Sequence, residues 1–456
     1  MCICTVNVKY LTCIKSGRTH YFATINSWWW NMCKFKRAYP ELLKRLAYSL
    51  VGLFSFISVS YAQKLATLSV EPVKGSAGAA AVVRVNLDEI TFLPDSVLSL
   101  FEVTGGKKVN IDYQIEDRGN RNIYWMLNQS GVQSRKRIFE LVQSAPAKPL
   151  TRMNASAKNG ELTLSSGDRD LLRYNFKTVY PPHGVDTVFK RSGFIHPLWS
   201  PHGQELTRVN APDHYHHFGL WNPWTHVYFE GDTVDFWNLK SKLGTVRFAG
   251  FVSVNKGPVY ADFQARHEHV VFKKNGTEKV AMNELQTVRI YQPENKDYYI
   301  ADITIQLNCA SESPVTLEEY RYGGLGWRAT EKWNKDNSET ITSEGLNRKE
   351  ADGSKARWVI VQGSIDTDYA GAVMMSYPSN YNHPEPLRIW PETANKRGDV
   401  YANFSPTKDK DWPLIPGKDY VLKYRFLVFN GKYSKEKAEA AWQAFTNSPR
   451  ITIVNH

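Results

Sequence analysis

Histidines are concentrated in one short part of the chain. Seven of the eleven histidines after residue 63 fall between positions 183 and 226. The densest stretch, APDHYHHFGLWNPWTH at 211–226, carries four histidines and two tryptophans. Imidazole can bind a metal ion or exchange a proton near neutral pH, and an indole face can stack on a sugar ring. The Pro and Gly residues around these histidines indicate loops, which favours a functional site over dispersed structural histidines.

A metal site is one possible use of this stretch. Side chains alternate in an extended segment, so His214 and His216 are expected to face one side and His217 the other. The pair suits zinc, copper or iron, but a third ligand is usually needed and the local spacing does not supply one. We therefore expect no cofactor, and a transition metal at His214 and His216 is the less favoured alternative.

Acid–base chemistry on a sugar is the favoured use. Two other segments add candidates, EEYRYGGLGWRAT at 318–330 and SNYNHPEPLRIWPE at 379–392. The candidate carboxylates are Asp213, Glu230, Asp235, Glu268 and Glu319. We expect His217 to donate a proton and Glu319 to accept one. A positioned acid or base of this kind typically increases the reaction rate about 10²–10⁴-fold. The remaining expected site residues are His214 and His226 for catalysis, and His196, Arg328, Trp224, His383 and Trp221 for substrate binding.

The N-terminal part of the chain has the features of an export signal. Basic residues precede an apolar run from Leu46 to Ser60, and Ser60 and Ala62 fit the positions before a signal-peptidase cut. We expect residues 1–62 to be an upstream extension plus signal peptide, and the protein to be periplasmic or secreted. Of the five cysteines, only Cys309 follows this segment, so an internal disulfide is not expected.

The net charge does not indicate a nucleic-acid partner. The whole chain has 57 Lys and Arg against 45 Asp and Glu. Residues 1–63 hold eight of the basic residues and one acidic residue, so the remainder carries 49 minus 44, or +5. No apolar run of 18 residues follows residue 63, so stable membrane insertion is not expected either. The oligomeric state is left open.

The remaining pattern predicts an all-β protein. Short alternating runs with Gly and Asn turns predict a small Ig-like β-sandwich at 63–143. The stretch SAPAKPLTRMNASAKNG at 144–160 is typical of a linker. Numerous longer strands then predict an antiparallel β-supersandwich over 161–456 that carries the site, with one C-terminal helix at SKEKAEAAWQAF. Ser434 is the expected helix cap.

Five motifs in order resemble the bacterial family called "methane oxygenase PmoA". They are RSGFIHPLWSPHGQELT, DHYHHFGLWNPWTHV, DFWN, YGGLGWR and FSPTKDKDWPLIPGKDYVLKYRFLVFNG. Methane oxidation is rejected, because the membrane enzyme needs several transmembrane helices. The resemblance implies a secreted, polysaccharide-related protein, and its strand-rich body is similar to the galactose-mutarotase-like supersandwich.

Three functions remain open at this point. The first is a periplasmic carbohydrate-active enzyme acting on a glycan, foremost a glycoside hydrolase, with an epimerase or lyase as variants. The second is a glycan-binding protein without catalysis. The third is a metal-dependent oxidoreductase.

Overall fold

The computed structural model describes residues 3–7, 10–15, 18–21, 63–128, 135–144 and 151–456. The chain divides into two compact units, residues 1–62 and 63–456. In the first unit, strands β1 (Ile3–Asn7), β2 (Tyr10–Lys15) and β3 (Arg18–Tyr21) form an antiparallel sheet. The expected signal segment lies outside the described residues.

Two small antiparallel sheets begin the second unit. Their strands are β4 (Gln63–Glu71), β5 (Ala81–Asn86), β6 (Leu98–Thr104), β7 (Lys107–Asn110), β8 (Gln114–Asp117), β9 (Arg121–Leu127) and β10 (Arg137–Gln143). One sheet has the order β4-β10-β6-β7 and the other β5-β9-β8. Buried side chains from both sheets, such as Leu68, Trp125 and Leu141, share one apolar core.

The rest of the unit is also rich in strands. They are β11 (Met153–Lys158), β12 (Glu161–Ser166), β13 (Arg169–Asn175), β14 (Phe194–Leu198), β15 (Val209–Ala211), β16 (His214–Phe218), β17 (Leu220–Trp221), β18 (Val227–Phe229), β19 (Asp232–Val234), β20 (Gly244–Asn255), β21 (Tyr260–Phe272), β22 (Glu278–Tyr291), β23 (Tyr298–Cys309), β24 (Val315–Leu317), β25 (Gly326–Arg328), β26 (Ser338–Thr342), β27 (Lys355–Ala356), β28 (Trp358–Ile365), β29 (Asp368–Ser376), β30 (Glu385–Ile389), β31 (Tyr401–Phe404), β32 (Trp412–Leu414), β33 (Tyr420–Asn430) and β34 (Arg450–Asn455). Short 3-10 helices lie at Leu87–Glu89, Asp95–Val97, Thr187–Phe189 and Leu239–Ser241.

Two large antiparallel sheets carry the main core. One has nine strands in the order β11-β12-β13-β14-β17-β25-β31-β30-β27, and the other has eight in the order β20-β21-β22-β23-β33-β29-β28-β26. Alternate side chains point inward, as in β23, where Ile303, Ile305 and Leu307 are buried. The apolar residues of both inner faces join in one cluster. The predicted all-β fold is confirmed.

The predicted linker is partly a strand. Met153–Lys158 pairs antiparallel with Glu161–Ser166, and Met153 is buried at its start. Apolar side chains are sparse in this segment because it lies at the edge of the nine-stranded sheet. The linker prediction over 144–160 is therefore wrong for 153–158, and residues 145–150 lie outside the described residues.

The C-terminal segment returns to the small sheets. Helix α1 (Lys435–Thr446) begins after Ser434, whose side chain accepts a hydrogen bond from the Lys437 amide. Its buried face includes Ala438 and Trp442, which join the core of the small sandwich. Strand β34 then pairs along β4 and makes that sheet five-stranded. The predicted C-terminal helix and its cap are confirmed, and the domain limits stay a prediction.

Among the described residues, no helix is both long and apolar enough to cross a membrane.

Candidate functional site

A cavity of about 260 Å³ lies beside the nine-stranded sheet. Its lining combines imidazoles, aromatic rings, an amide and two guanidinium groups. The residues are His214, His216, His217, Trp237, Asn238, Arg321, Tyr322, Arg388, Trp390 and Tyr401.

Strand alternation explains how the sheet contributes to this cavity. Leu220, Trp327 and Ala402 point into the main core, whereas their chain neighbours Trp221 and Tyr401 belong to a separate aromatic cluster. Since successive side chains of a strand point to opposite faces, the site is built on the outer face of the central strands β17, β25, β31 and β30.

One glycine makes room for this aromatic cluster. A Cβ atom at Gly326 would lie 2.8 Å from the Tyr401 hydroxyl oxygen and 3.0 Å from a Trp237 ring atom. Any side chain at this position of β25 would therefore push the aromatic wall of the cavity aside.

The three histidines of β16 meet at one point of the cavity. The ring centres of His214 and His216 are 5.3 Å apart, and those of His214 and His217 are 4.7 Å apart. One ligand nitrogen from each ring lies within 4.8 Å of the others. The expectation that His217 faces away is wrong. β16 pairs with β15 in a short hairpin whose register shifts between Val209 and Ala211, which disturbs strict alternation.

A carboxylate orients the first of these rings. Asp213 Oδ2 accepts a hydrogen bond from His214 Nδ1 at 2.8 Å. The carboxyl pKa of Asp213 lies well below its usual range, because the hydrogen bond from His214 and the charge of Arg328 outweigh the effect of burial. An ionised carboxylate only accepts hydrogen bonds, so His214 Nδ1 carries the proton of this bond and Nε2 is the ring nitrogen directed away from Asp213.

Arg328 fixes the carboxylate in turn. Its Nη2 donates to Asp213 Oδ1 and to Asp399 Oδ2, both at 3.0 Å. Asn395 Nδ2 also donates to both carboxylates, at 2.7 and 3.0 Å. The guanidinium carbon of Arg328 lies 4.5 Å from the centre of the Trp390 ring. Arg328 is 1% exposed, so it supports the site from behind and does not line the cavity.

The other two imidazoles are held neutral at pH 7. Burial, together with the charges of His214 and Arg328, lowers the pKa of His216 to about 4. Burial also places the pKa of His217 well below its ordinary value. His217 is 3% exposed, and its Nδ1 has no hydrogen-bond partner among the described residues. A neutral imidazole is a proton acceptor or a metal ligand, so the predicted role of His217 as proton donor does not fit this environment.

Two arginines, Arg321 and Arg388, bring positive charge to the cavity lining. Arg388 Nη1 donates to Asp352 Oδ2 at 2.5 Å, so part of its charge is already paired. Arg321 is exposed, and no ion pair of its guanidinium is found among the described residues. Beside it, the Tyr322 hydroxyl lies 3.1 Å from Asn238 Nδ2. This wall can bind a carboxylate or sulfate group.

Several predicted site residues lie away from the cavity. Glu319 is exposed, and its backbone amide donates to Asp411 Oδ1 at 2.7 Å. The His226 ring is exposed and stacks on Tyr320 at 4.0 Å. The convergence predicted for both is wrong, because the chain lines the cavity at 214–217, 237–238 and 321–322 and neither Glu319 nor His226 is part of that lining.

His196 and His383 have separate polar partners. His196 Nδ1 lies 2.9 Å from Thr207 Oγ1, and burial lowers its pKa to about 4. His383 Nδ1 lies 3.2 Å from Ser376 Oγ, which donates to the buried carboxylate of Glu385 at 2.5 Å. Neither histidine lines the cavity, and their substrate contacts stay a prediction.

The two predicted stacking tryptophans are structural. Trp224 is completely buried in the main core, with its ring 5.9 Å from that of Trp412. Trp221 is 1% exposed and packs behind His217, with ring centres 5.0 Å apart. The rings that reach the cavity are Trp237, Trp390, Tyr322 and Tyr401. The sequence signal for these rings is strand alternation. An aromatic residue next to a core residue in a strand, such as Tyr401 before Ala402, points to the outer face.

The fold and the cavity together define an all-β supersandwich protein with a histidine-lined site on the outer face of one sheet. The chain belongs to the family described as "Family of unknown function (DUF6807)", whose model matches residues 161–443. That range contains every residue of the cavity. No curated protein matches the chain.

Two solved structures show weak likeness. A galactose mutarotase related enzyme from Lactobacillus acidophilus is 10% identical, with a TM-score of 0.29, covering 61% of this chain and 97% of its own. A heparan sulfate lyase from Pedobacter heparinus is 8% identical, with a TM-score of 0.23, covering 64% and 38%. These comparisons give the methane oxygenase name no support.

Proposed function

We propose that this protein is an exported carbohydrate-active enzyme that binds an acidic sugar in the cavity and transfers a proton on it. The observation that carries the proposal is the combination of residue types that line the cavity. Arg321 and Arg388 line the same space of about 260 Å³ as three imidazoles and four aromatic rings. Few convergent polar groups among aromatic faces are typical of a site for a small polar ligand.

The charges favour a substrate that carries a carboxylate. A guanidinium group binds a carboxylate through paired hydrogen bonds, and this withdraws electrons from the adjacent carbon. Neutral imidazoles such as His216 can then accept a proton from that carbon or from a nearby hydroxyl. Epimerisation or elimination on a uronic acid follows this pattern.

Hydrolysis by paired carboxylates fits less well. Glycoside hydrolases typically place two carboxyl groups about 5–9 Å apart around the bond that is cleaved. Among the described lining residues none is acidic, and the nearby Asp213 is engaged by His214 and Arg328. We therefore replace the pair of His217 and Glu319 by the imidazole cluster.

A pair of matched polymers tests the proposal. Purified protein is incubated with polygalacturonate and with its methyl ester, in which each charged carboxylate is replaced by a neutral ester, and with other acidic and neutral glycans. We expect new double bonds, epimers or released sugars from acidic polymers alone. Equal conversion of the ester would overturn the role of the arginines, and binding without any conversion would make this a glycan-binding protein.

A further inference from the structure

We infer that His214, His216 and His217 form a binding site for one divalent transition-metal ion. The three nitrogens that would bind it lie within 4.8 Å of one another, all from one five-residue strand. Three protein ligands with an open side toward a cavity are the usual arrangement of a catalytic zinc site. All-imidazole ligation suits zinc, copper, iron and nickel better than calcium or magnesium.

The state of each ring supports this inference. His214 donates its Nδ1 proton to Asp213 and so directs Nε2 away from the carboxylate. A carboxylate that orients a ligating histidine in this way is a common feature of metal sites. No hydrogen bond of the His216 ring is found among the described residues, and His217 Nδ1 is buried without a partner among them. Leaving a buried polar atom unpaired costs about 1–3 kcal/mol, so a group of this kind calls for a ligand.

The surroundings also fit an ion that is accessible from one side. Trp390 lies 4.8 Å from the His214 ring, and Tyr401 lies 5.2 Å from the His217 ring, measured between ring centres. Both rings and all three histidines line the cavity, so the cluster is open to it on that side. An ion here would face the space assigned to the sugar and could bind one of its oxygens. The lone pairs of the three rings would then be occupied, so a water molecule bound to the ion, and not His216, would accept the proton from the substrate.

The binding of a sugar oxygen by the ion rests on the proposed function, whereas the binding of the ion by the three histidines does not. Metal binding itself is measured without any sugar, so the two proposals fail independently.

Cobalt titration tests the site directly. The protein is stripped with a chelator, Co²⁺ is added, and the visible absorption of the bound ion is followed, with Zn²⁺ as competitor. We expect saturation at about one ion per chain and a higher melting temperature, because the ion binds only the folded state. Absence of binding at micromolar Co²⁺ and Zn²⁺ would overturn the inference.

Variants locate the ion. His216→Ala should weaken binding at least 100-fold, whereas His226→Ala, an exposed histidine ten residues along, should not change it. His216 is half-buried on a hairpin, so its removal leaves the core intact. Equal binding by both variants would place the ion elsewhere and contradict the site.

A second pair of variants tests how the ligand is oriented. Asp213 and Asp399 both bind Arg328, but only Asp213 also binds His214. Asp213→Asn should weaken Co²⁺ binding about 10–100-fold through the lost orientation of His214. Asp399→Asn should leave it within about threefold on the same reasoning. An equal loss in both variants would reduce Asp213 to a structural ion-pair partner.

Discussion

Arg328 and Asp213 form a close ion pair behind the histidine cluster. Arg328 Nη1 lies 2.9 Å from Asp213 Oδ2, and Nη2 lies 3.0 Å from Oδ1. The same Oδ2 accepts the hydrogen bond from His214. A buried guanidinium on β25 thus fixes a loop carboxylate, and the carboxylate fixes a ring in the cavity.

Arg328→Met should destabilise the protein. The substitution leaves Asp213 and Asp399 without their shared cation, and removal of one partner of a buried ion pair costs about 3–5 kcal/mol. Urea denaturation measures the loss. Lys332→Met is the control, because its pair with Asp366 is about half exposed and should contribute less than about 1 kcal/mol. Similar losses of unfolding free energy in both variants would show that the buried ion pair of Arg328 stabilises the protein no more than an exposed pair does.

Glu385→Gln should change how stability depends on pH. Burial raises the pKa of Glu385 to about 7, although hydrogen bonds from Ser376, Asn380 and Tyr424 lower it in part. A raised folded-state pKa contributes stability below the unfolded pKa, and this stability is lost as the pH rises through about 7. From pH 4.5 to 8, the wild type should therefore lose on the order of 3 kcal/mol relative to the glutamine variant. The same difference in unfolding free energy between wild type and variant at both pH values would contradict the raised pKa of Glu385.

Trp224→Ala should act on folding and not on substrate binding. Trp224 is completely buried between the large sheets, and truncation of a buried tryptophan costs about 3–5 kcal/mol. The KM of the Trp224→Ala variant, measured at a temperature at which the variant is folded, should equal that of the wild type. Trp390→Phe, which keeps an aromatic ring in the cavity wall, is the comparison and should raise KM. A raised KM for Trp224→Ala alone would restore the predicted stacking role.

Arg388→Gln and Glu319→Gln separate the cavity from its surroundings. Loss of the Arg388 charge should raise KM for an acidic glycan about tenfold, equivalent to about 1.4 kcal/mol. Glu319→Gln should leave kcat and KM unchanged, since Glu319 is exposed outside the cavity. Steady-state kinetics on the same polymer distinguish the two. Loss of turnover in Glu319→Gln would support the acid–base pair predicted from the sequence.

The fold was predictable because its signal is local. Strands such as β22 and β23 run for 14 and 12 residues, and their apolar side chains alternate over that length. The helix cap at Ser434 is local as well. By contrast, β34 pairs with β4 from the other end of the unit, and nothing within either strand specifies that partner.

The site was predictable only in part, for the same reason. The density of histidines at 211–226 indicated the correct segment. The glycines and the arginine at 323–328 indicated a second segment, which the structure places next to the histidines. Which groups converge depends on strand order, and this brings Arg388 and Tyr401 to the cavity from distant positions. Residue type alone could not separate Trp224, which faces the core, from Trp237, which faces the cavity.

The central claim is that the histidine cluster on β16 is the functional site. The most direct measurement is the turnover of an acidic glycan, identified in the polymer screen, by His216→Ala and by His226→Ala, both shown to be folded by thermal melting. We expect His216→Ala to lose at least about 100-fold in kcat and His226→Ala to keep wild-type turnover. Wild-type turnover in His216→Ala would contradict it.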